Sequence, residues 1–188
     1  VFLWLSGMRV GAFASLPLDA VSIEHLEIMQ WPSMGVRTKN TKFPVTYLLN
    51  IPELLEVVKA WDKEVRRVLP TKGLWFAPLL PSTGEFDLSV TVESIGENRG
   101  RIVTRNLRAW LDSSGLPYHS PHKFRNGHAL YVKKRAKNFG DLEALRENLM
   151  HSSIHVTDSM YGIFSKNDVK ERLHGLSTSS SLSERQVL

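Results

Sequence analysis

The chain has 188 residues, 42% of them hydrophobic, with a formal net charge of +5 and no cysteine. That length and apolar share fit one globular domain rather than a disordered chain, and the missing thiols exclude a disulfide scaffold, thiolate zinc centres and cysteine nucleophiles. The basic balance favours a polyanionic partner without identifying one, and Arg9 cuts the apolar start well short of the roughly 18 residues a membrane span needs.

Residues 1–16 predict a helix, with Val1, Leu5, Met8 and Phe13 near helical spacing and Pro17 as its stop. An opening on Val1 without a basic leader reads as a start inside a helix of a longer protein. Residues 18–23 read as a connector. Residues 34–51 predict a β-hairpin, with Val36 before a polar turn at 38–41 and Val45, Tyr47 and Leu49 alternating after it. Pro44 places that second arm at a sheet edge. Residues 52–69 predict an amphipathic helix whose stripe is Leu54, Leu55, Val58, Trp61, Val65 and Val68.

Glycine and proline punctuate residues 70–100, which read as a surface excursion with some β pairing, including a strand candidate at 86–92. Thr104 predicts the cap of a helix running to Ser113, with Gly115 past its end. Ser120 and Pro121 open a longer helix toward Lys137. Asp141 is the expected cap of a helix over 141–149. A short turn at 156–161 and a helix over 168–174 follow, then a serine-rich stretch, 176–188, of the composition of a flexible tail. The expectation is a mainly α fold with a small antiparallel β-sheet (α+β), one domain over 1–175 and a tail over 176–188.

Moving a phosphodiester onto a side chain needs a nucleophile, cations around the phosphate, a donor to the leaving oxygen and an acceptor for the nucleophile's proton. The stretch SPHKFRNGH places His122 and Arg125 three residues apart on one helical face, within reach of one anion. Alone, that pair is more often a solvated face. Downstream stands LMHSSIHVTDSMYG, carrying His151 and Tyr161. The ordered set His-x-x-Arg, His-Ser-Ser and Tyr resembles the tyrosine recombinases, the phage-integrase family. The segment GMRVGA resembles the family's first arginine block, and RTKNTK its hairpin lysine turn. Three departures are visible: Met150 stands where the family has glycine, the gap from His151 to Tyr161 is one residue longer than the family's commonest form, and Ala12 stands where it has an acidic residue three after the arginine.

The resemblance covers residues 9 to about 174. It implies a tyrosine-recombinase catalytic-domain fold and a site-specific DNA recombinase acting without cofactor, metal or ATP. Tyr161 would be the nucleophile and form a 3′-phosphotyrosyl link. Arg9 and Arg125 would clamp the non-bridging oxygens, His151 would donate to them, and His122 would take the tyrosine proton. Lys39, with Lys42 as the fallback, would protonate the leaving 5′ oxygen. It also implies double-stranded DNA as partner, a tetramer on DNA, a core-binding domain lying before this chain, and a cytoplasmic, nucleoid-associated location. The rival readings are a catalytically impaired recombinase-fold DNA-binding protein, a type IB topoisomerase-like relaxing enzyme, and a helical module with no DNA role. His119, His122 and His128 share no helical face suited to a metal. His128 and His155 read as structural, Trp4, Trp61 and Trp110 as core, and the run Lys133, Lys134, Arg135 and Lys137 as a solvated face that could follow a DNA backbone.

Overall fold

The computed structural model describes residues 1–38, 43–80 and 82–151. Two short helices, α1 (Phe2–Ser6) and α2 (Val10–Ala14), open the chain. Three short strands follow, β1 (Val21–Ser22), β2 (Glu27–Met29) and β3 (Val45–Tyr47). Four longer helices complete the described part: α3 (Pro52–Val68), α4 (Arg99–Ser113), α5 (Pro121–Arg135) and α6 (Phe139–Asn148). This is the mainly α architecture with one small antiparallel sheet that the periodicities predict.

The single helix expected over 1–16 is instead two. Gly7 takes a left-handed conformation (φ 62°) and ends α1, donating its N–H to the Leu3 carbonyl at 3.1 Å. Arg9 then sits extended (φ −75°, ψ 146°) as the cap before α2. A side chain on Gly7 has no room: an ideal Cβ would lie 2.7 Å from His128 Cδ2 and 2.8 Å from Leu149 Cδ2. Apolar spacing cannot register such a break, because Leu5, Met8 and Phe13 are buried on both sides of it.

The hairpin is real, but its first arm lies earlier than 34–36. The sheet runs β1-β2-β3, with Val21 opposite Ile28 and Ile28 opposite Thr46. Residues Pro32–Met34 form a 3₁₀ turn instead, closed by Gly35 at φ 88°. β3 is an edge strand, and Pro44 stands just before it, as read from the proline. Its outer backbone is covered by Asn148, whose Oδ1 accepts from the Tyr47 N–H (2.7 Å) and whose Nδ2 donates to the Tyr47 carbonyl (3.2 Å). An amide fork thus pairs an otherwise open edge and ties the end of α6 to the sheet.

Helix α3 matches its prediction closely, burying Leu55, Val58 and Val65. The excursion over 70–100 is not wholly on the surface. Leu74, Trp75 and Ala77 are buried, and isolated bridges join Pro17 to Leu74, Gly73 to Thr91 and Leu79 to Phe86. Trp75 donates to Asp62 Oδ1 while its carbonyl accepts from Trp61 Nε1, both at 2.9 Å, so the indole's polar edge is satisfied against α3. Helix α4 starts at Arg99, five residues before Thr104, whose hydroxyl donates to the Gly100 carbonyl within the helix. Helix α6 is capped by Asn138, with Asp141 as the reciprocal third residue of a capping box. Trp110 is 59% exposed, against the core reading, because α4 turns Val103 and Leu111 inward. No helix among the described residues is long and apolar enough to cross a membrane.

The main core packs α1, α2 and α3 with the sheet around Leu5, Met8, Leu16 and Ile28, while a smaller cluster of Ala129, Leu145 and Leu149 joins α5 to α6. Helix α1 lies against α5, with Trp4 edge-on to Tyr131 at 5.0 Å between ring centres.

Candidate active site

Three separated segments converge where α1 breaks. Arg9 leaves the break itself, His122 and Arg125 stand in the first turn and a half of α5, and His151 follows α6. Ser120 in extended conformation and Pro121 at the first helical position start α5, which fixes the direction of its first side chains.

Arg125 is the centre of the cluster. It is 2% exposed, so its charge must be met by hydrogen bonds. Its Nη1 donates to the Gly7 carbonyl at 2.5 Å, and its Nη2 to the Leu149 carbonyl at 2.5 Å. The same Nη2 lies 2.9 Å from His151 Nε2. The planar fork therefore joins the α1 break to the end of α6, a geometry a lysine cannot copy.

His151 is placed by the end of α6. The Met150 N–H donates to the Glu147 carbonyl (2.8 Å) and the His151 N–H to the Arg146 carbonyl (3.0 Å), the paired bonds of a Schellman motif. That motif needs a left-handed residue at Met150, whose φ is 52°. A left-handed backbone suits glycine, the residue the resemblance would place here, and Met150 occupies it under strain. Because a guanidinium only donates, His151 Nε2 accepts, and the ring proton sits on Nδ1. Burial first, then the charges of Arg125, Arg9 and His122, lower the His151 pKa to about 4. Near neutral pH it is an uncharged donor.

A cavity of about 400 Å³ opens over this cluster, lined by Arg9, Ala12, Arg37, His122 and Arg125 among others. No carboxylate is among the described residues that line it, and Ala12, where an acid would be expected by resemblance, is 2% exposed. Among the described residues no hydrogen bond holds the guanidinium of Arg9. His122 is exposed at the cavity rim. Such a set concentrates positive charge with no carboxylate in the described lining to neutralise it, an arrangement suited to an anion.

No sequence motif assigns Arg37 a role of its own. Its guanidinium donates to the Gly96 and Ile95 carbonyls, each at 2.9 Å, and its N–H to Ser15 Oγ at 2.8 Å. It anchors the foot of the β2–β3 connection beside the cavity. Only its place next to the lysine turn could have marked it. Beyond Val10 a second, larger hollow of about 710 Å³ runs along α4, and its lining includes Arg101, Arg105 and Arg108 together with Glu97. The basic run on α5 divides: Lys133 is buried, and Arg135 stacks over Tyr131 at 3.6 Å. His128 is buried against Trp4, in line with its structural reading. Lys39, Lys42, His155 and Tyr161, and the tail over 176–188, lie outside the described residues.

Solved structures supply the comparison. The chain superposes on XerA recombinase with a TM-score of 0.60 at 18% identity, covering 93% of this chain and 54% of that one. The chain has the tyrosine-recombinase catalytic-domain fold. The XerH site-specific recombinase bound to difH substrate, in a pre-cleavage complex, matches with a TM-score of 0.55 at 16% identity, over 91% of this chain and 44% of that one. The Tn1549 transposon integrase in complex with transposon right end DNA matches with a TM-score of 0.54 at 16% identity, over 94% of this chain and 57% of that one. The chain therefore spans about half the length of these recombinase structures. No family model and no curated protein matches it.

Proposed function

We propose that this chain is the catalytic part of a site-specific recombinase that breaks and rejoins double-stranded DNA through a 3′-phosphotyrosyl intermediate on Tyr161. The observation that carries the reading is the convergence of Arg9, His122 and Arg125 on a cavity whose described lining holds no carboxylate, with His151 2.9 Å from Arg125.

The scissile phosphate enters that cavity. Arg9 binds its non-bridging oxygens, and the charge of Arg125 adds to the field while its fork keeps the site assembled. Tyr161 Oη attacks phosphorus as the bond from phosphorus to the 5′ oxygen breaks. A free tyrosine titrates near pH 10, so its proton needs an acceptor, His122. Lys39, or Lys42 in its place, gives a proton to the leaving 5′ oxygen. Neutral His151 donates through Nδ1 to a non-bridging oxygen. A 5′ hydroxyl from the second strand reverses the exchange, conserving the phosphoester bond without ATP and without a metal ion. The arginine-lined hollow along α4 offers a track for the DNA backbone. A preceding DNA-clamping domain and a tetramer on specific recombination sites complete the proposal.

The test is a nicked duplex that traps the covalent step. The chain should form an SDS-resistant adduct with labelled DNA, and Tyr161→Phe should form none while still binding duplex. An adduct that persists in Tyr161→Phe overturns the assignment. DNA binding with no adduct in the unsubstituted chain would favour an impaired recombinase, for which the buried Ala12 is the observation.

A further inference from the structure

We propose that His128 is a positioning residue that holds the end of α1, and with it Gly7 and Arg9, in register with Arg125. His128 stands one turn after Arg125 on the same face of α5 and is 1% exposed. Its Nδ1 lies 2.8 Å from the Trp4 carbonyl. A carbonyl only accepts, so Nδ1 carries the proton and donates. The Leu5 carbonyl lies close enough to act on the same ring. These carbonyls belong to the last turn of a five-residue helix, where backbone acceptors lack partners within the helix. The other edge of the ring faces Gly7, with Cδ2 filling the space a Gly7 Cβ would need.

Helix α5 therefore grips the break at two levels. Arg125 holds the Gly7 carbonyl, and His128 holds Trp4 three residues before it. Two residues beyond Gly7 the chain presents Arg9. A helix of five residues is too short to be stable alone, so its terminal turn is held by what it touches. Losing the His128 donor lets that turn shift while the bulk of the ring still fills the space.

The inference rests on the phosphate-binding reading of the cavity, so its deciding readout does not depend on DNA cleavage. His128→Asn retains an N–H at the donor position. His128→Phe retains a ring beside Gly7 without a donor, and His128→Leu repeats the test if the phenyl ring is not accommodated. The side-chain N–H signals of Arg9 and Arg125 are followed by ¹⁵N NMR during titration with inorganic sulfate, and thermal stability is measured in parallel. His128→Asn should keep both signals and hold sulfate affinity within about twofold, whereas His128→Phe should shift both and weaken sulfate by about fivefold or more. Equal effects in the two variants, or unmoved arginine signals whatever the change in stability, overturn the proposal. Absence of a phosphotyrosyl adduct in the unsubstituted chain would count against the recombinase reading alone and leaves this measurement decisive.

Discussion

Gly7→Ala puts the α1 break to the most direct test. Two costs add at this residue. The backbone sits at φ 62°, where an L side chain costs about 1–2 kcal/mol. The new Cβ would also lie 2.7 Å from His128 Cδ2 and 2.8 Å from Leu149 Cδ2. Both contacts belong to buried side chains that cannot swing into solvent, so relieving them moves α5 or the end of α6, at the roughly 1–3 kcal/mol typical of overpacking. The sum is about 2–5 kcal/mol, and for a domain of this size 3 kcal/mol corresponds to a Tm lower by about 6–12 °C. Gly115→Ala is the control, since Gly115 has φ 67° with nothing within 4 Å of the added Cβ. It should lose only the backbone part, about 1–2 kcal/mol. Urea unfolding of both variants gives the difference. If Gly7→Ala is no more destabilising than Gly115→Ala, the close packing of His128 and Leu149 on the break is wrong.

Met150 sits at φ 52° in the Schellman end of α6, so Met150→Gly should be more stable than Met150→Ala by about 1 kcal/mol in urea unfolding; equal stabilities would refute the strain. His128 and His151 are both lowered from 6.5 to about 4, chiefly by burial. The unfolded chain therefore takes up protons first, and the stability they contribute is full above pH 6.5 and lost as pH falls toward 4. For His128 the loss is on the order of 3 kcal/mol, so as pH falls from 6.5 toward 4 the unsubstituted chain should lose about that much more stability than His128→Asn; parallel curves would refute the burial argument. Arg105→Ala, on the arginine-lined side of α4, should lower the salt slope of duplex-DNA affinity by about 1, read by fluorescence anisotropy, and an unchanged slope would remove α4 from the DNA track.

The site shows how a buried cation serves two ends at once. Arg125 cannot give its whole fork to a substrate, because the Gly7 and Leu149 carbonyls and His151 already use it. Its contribution is a fixed charge and a fixed geometry. Arg9, two residues past the glycine, carries a guanidinium that no described residue bonds. Rigidity and reach are thus divided between two arginines, and the division depends on one left-handed glycine.

By itself the sequence determined the class of the fold, the long helices α3 and α5, the edge placement of β3, and the shared face of His122 and Arg125 on α5. Those features rest on local causes: apolar stripes at helical spacing, Ser120-Pro121 as a helix start, Pro44 beside a strand, and the three-residue spacing of a His-x-x-Arg pair. Tertiary structure alone decided that residues 1–16 are two helices, that the hairpin's first arm is Glu27–Met29, that Trp75 is core and Trp110 is not, and that Arg37 borders the cavity. Each of these turns on contacts between residues distant in the chain. His128 and Leu149 exclude a Cβ at Gly7, and the Gly7 and Leu149 carbonyls claim Arg125, across separations that local spacing does not carry.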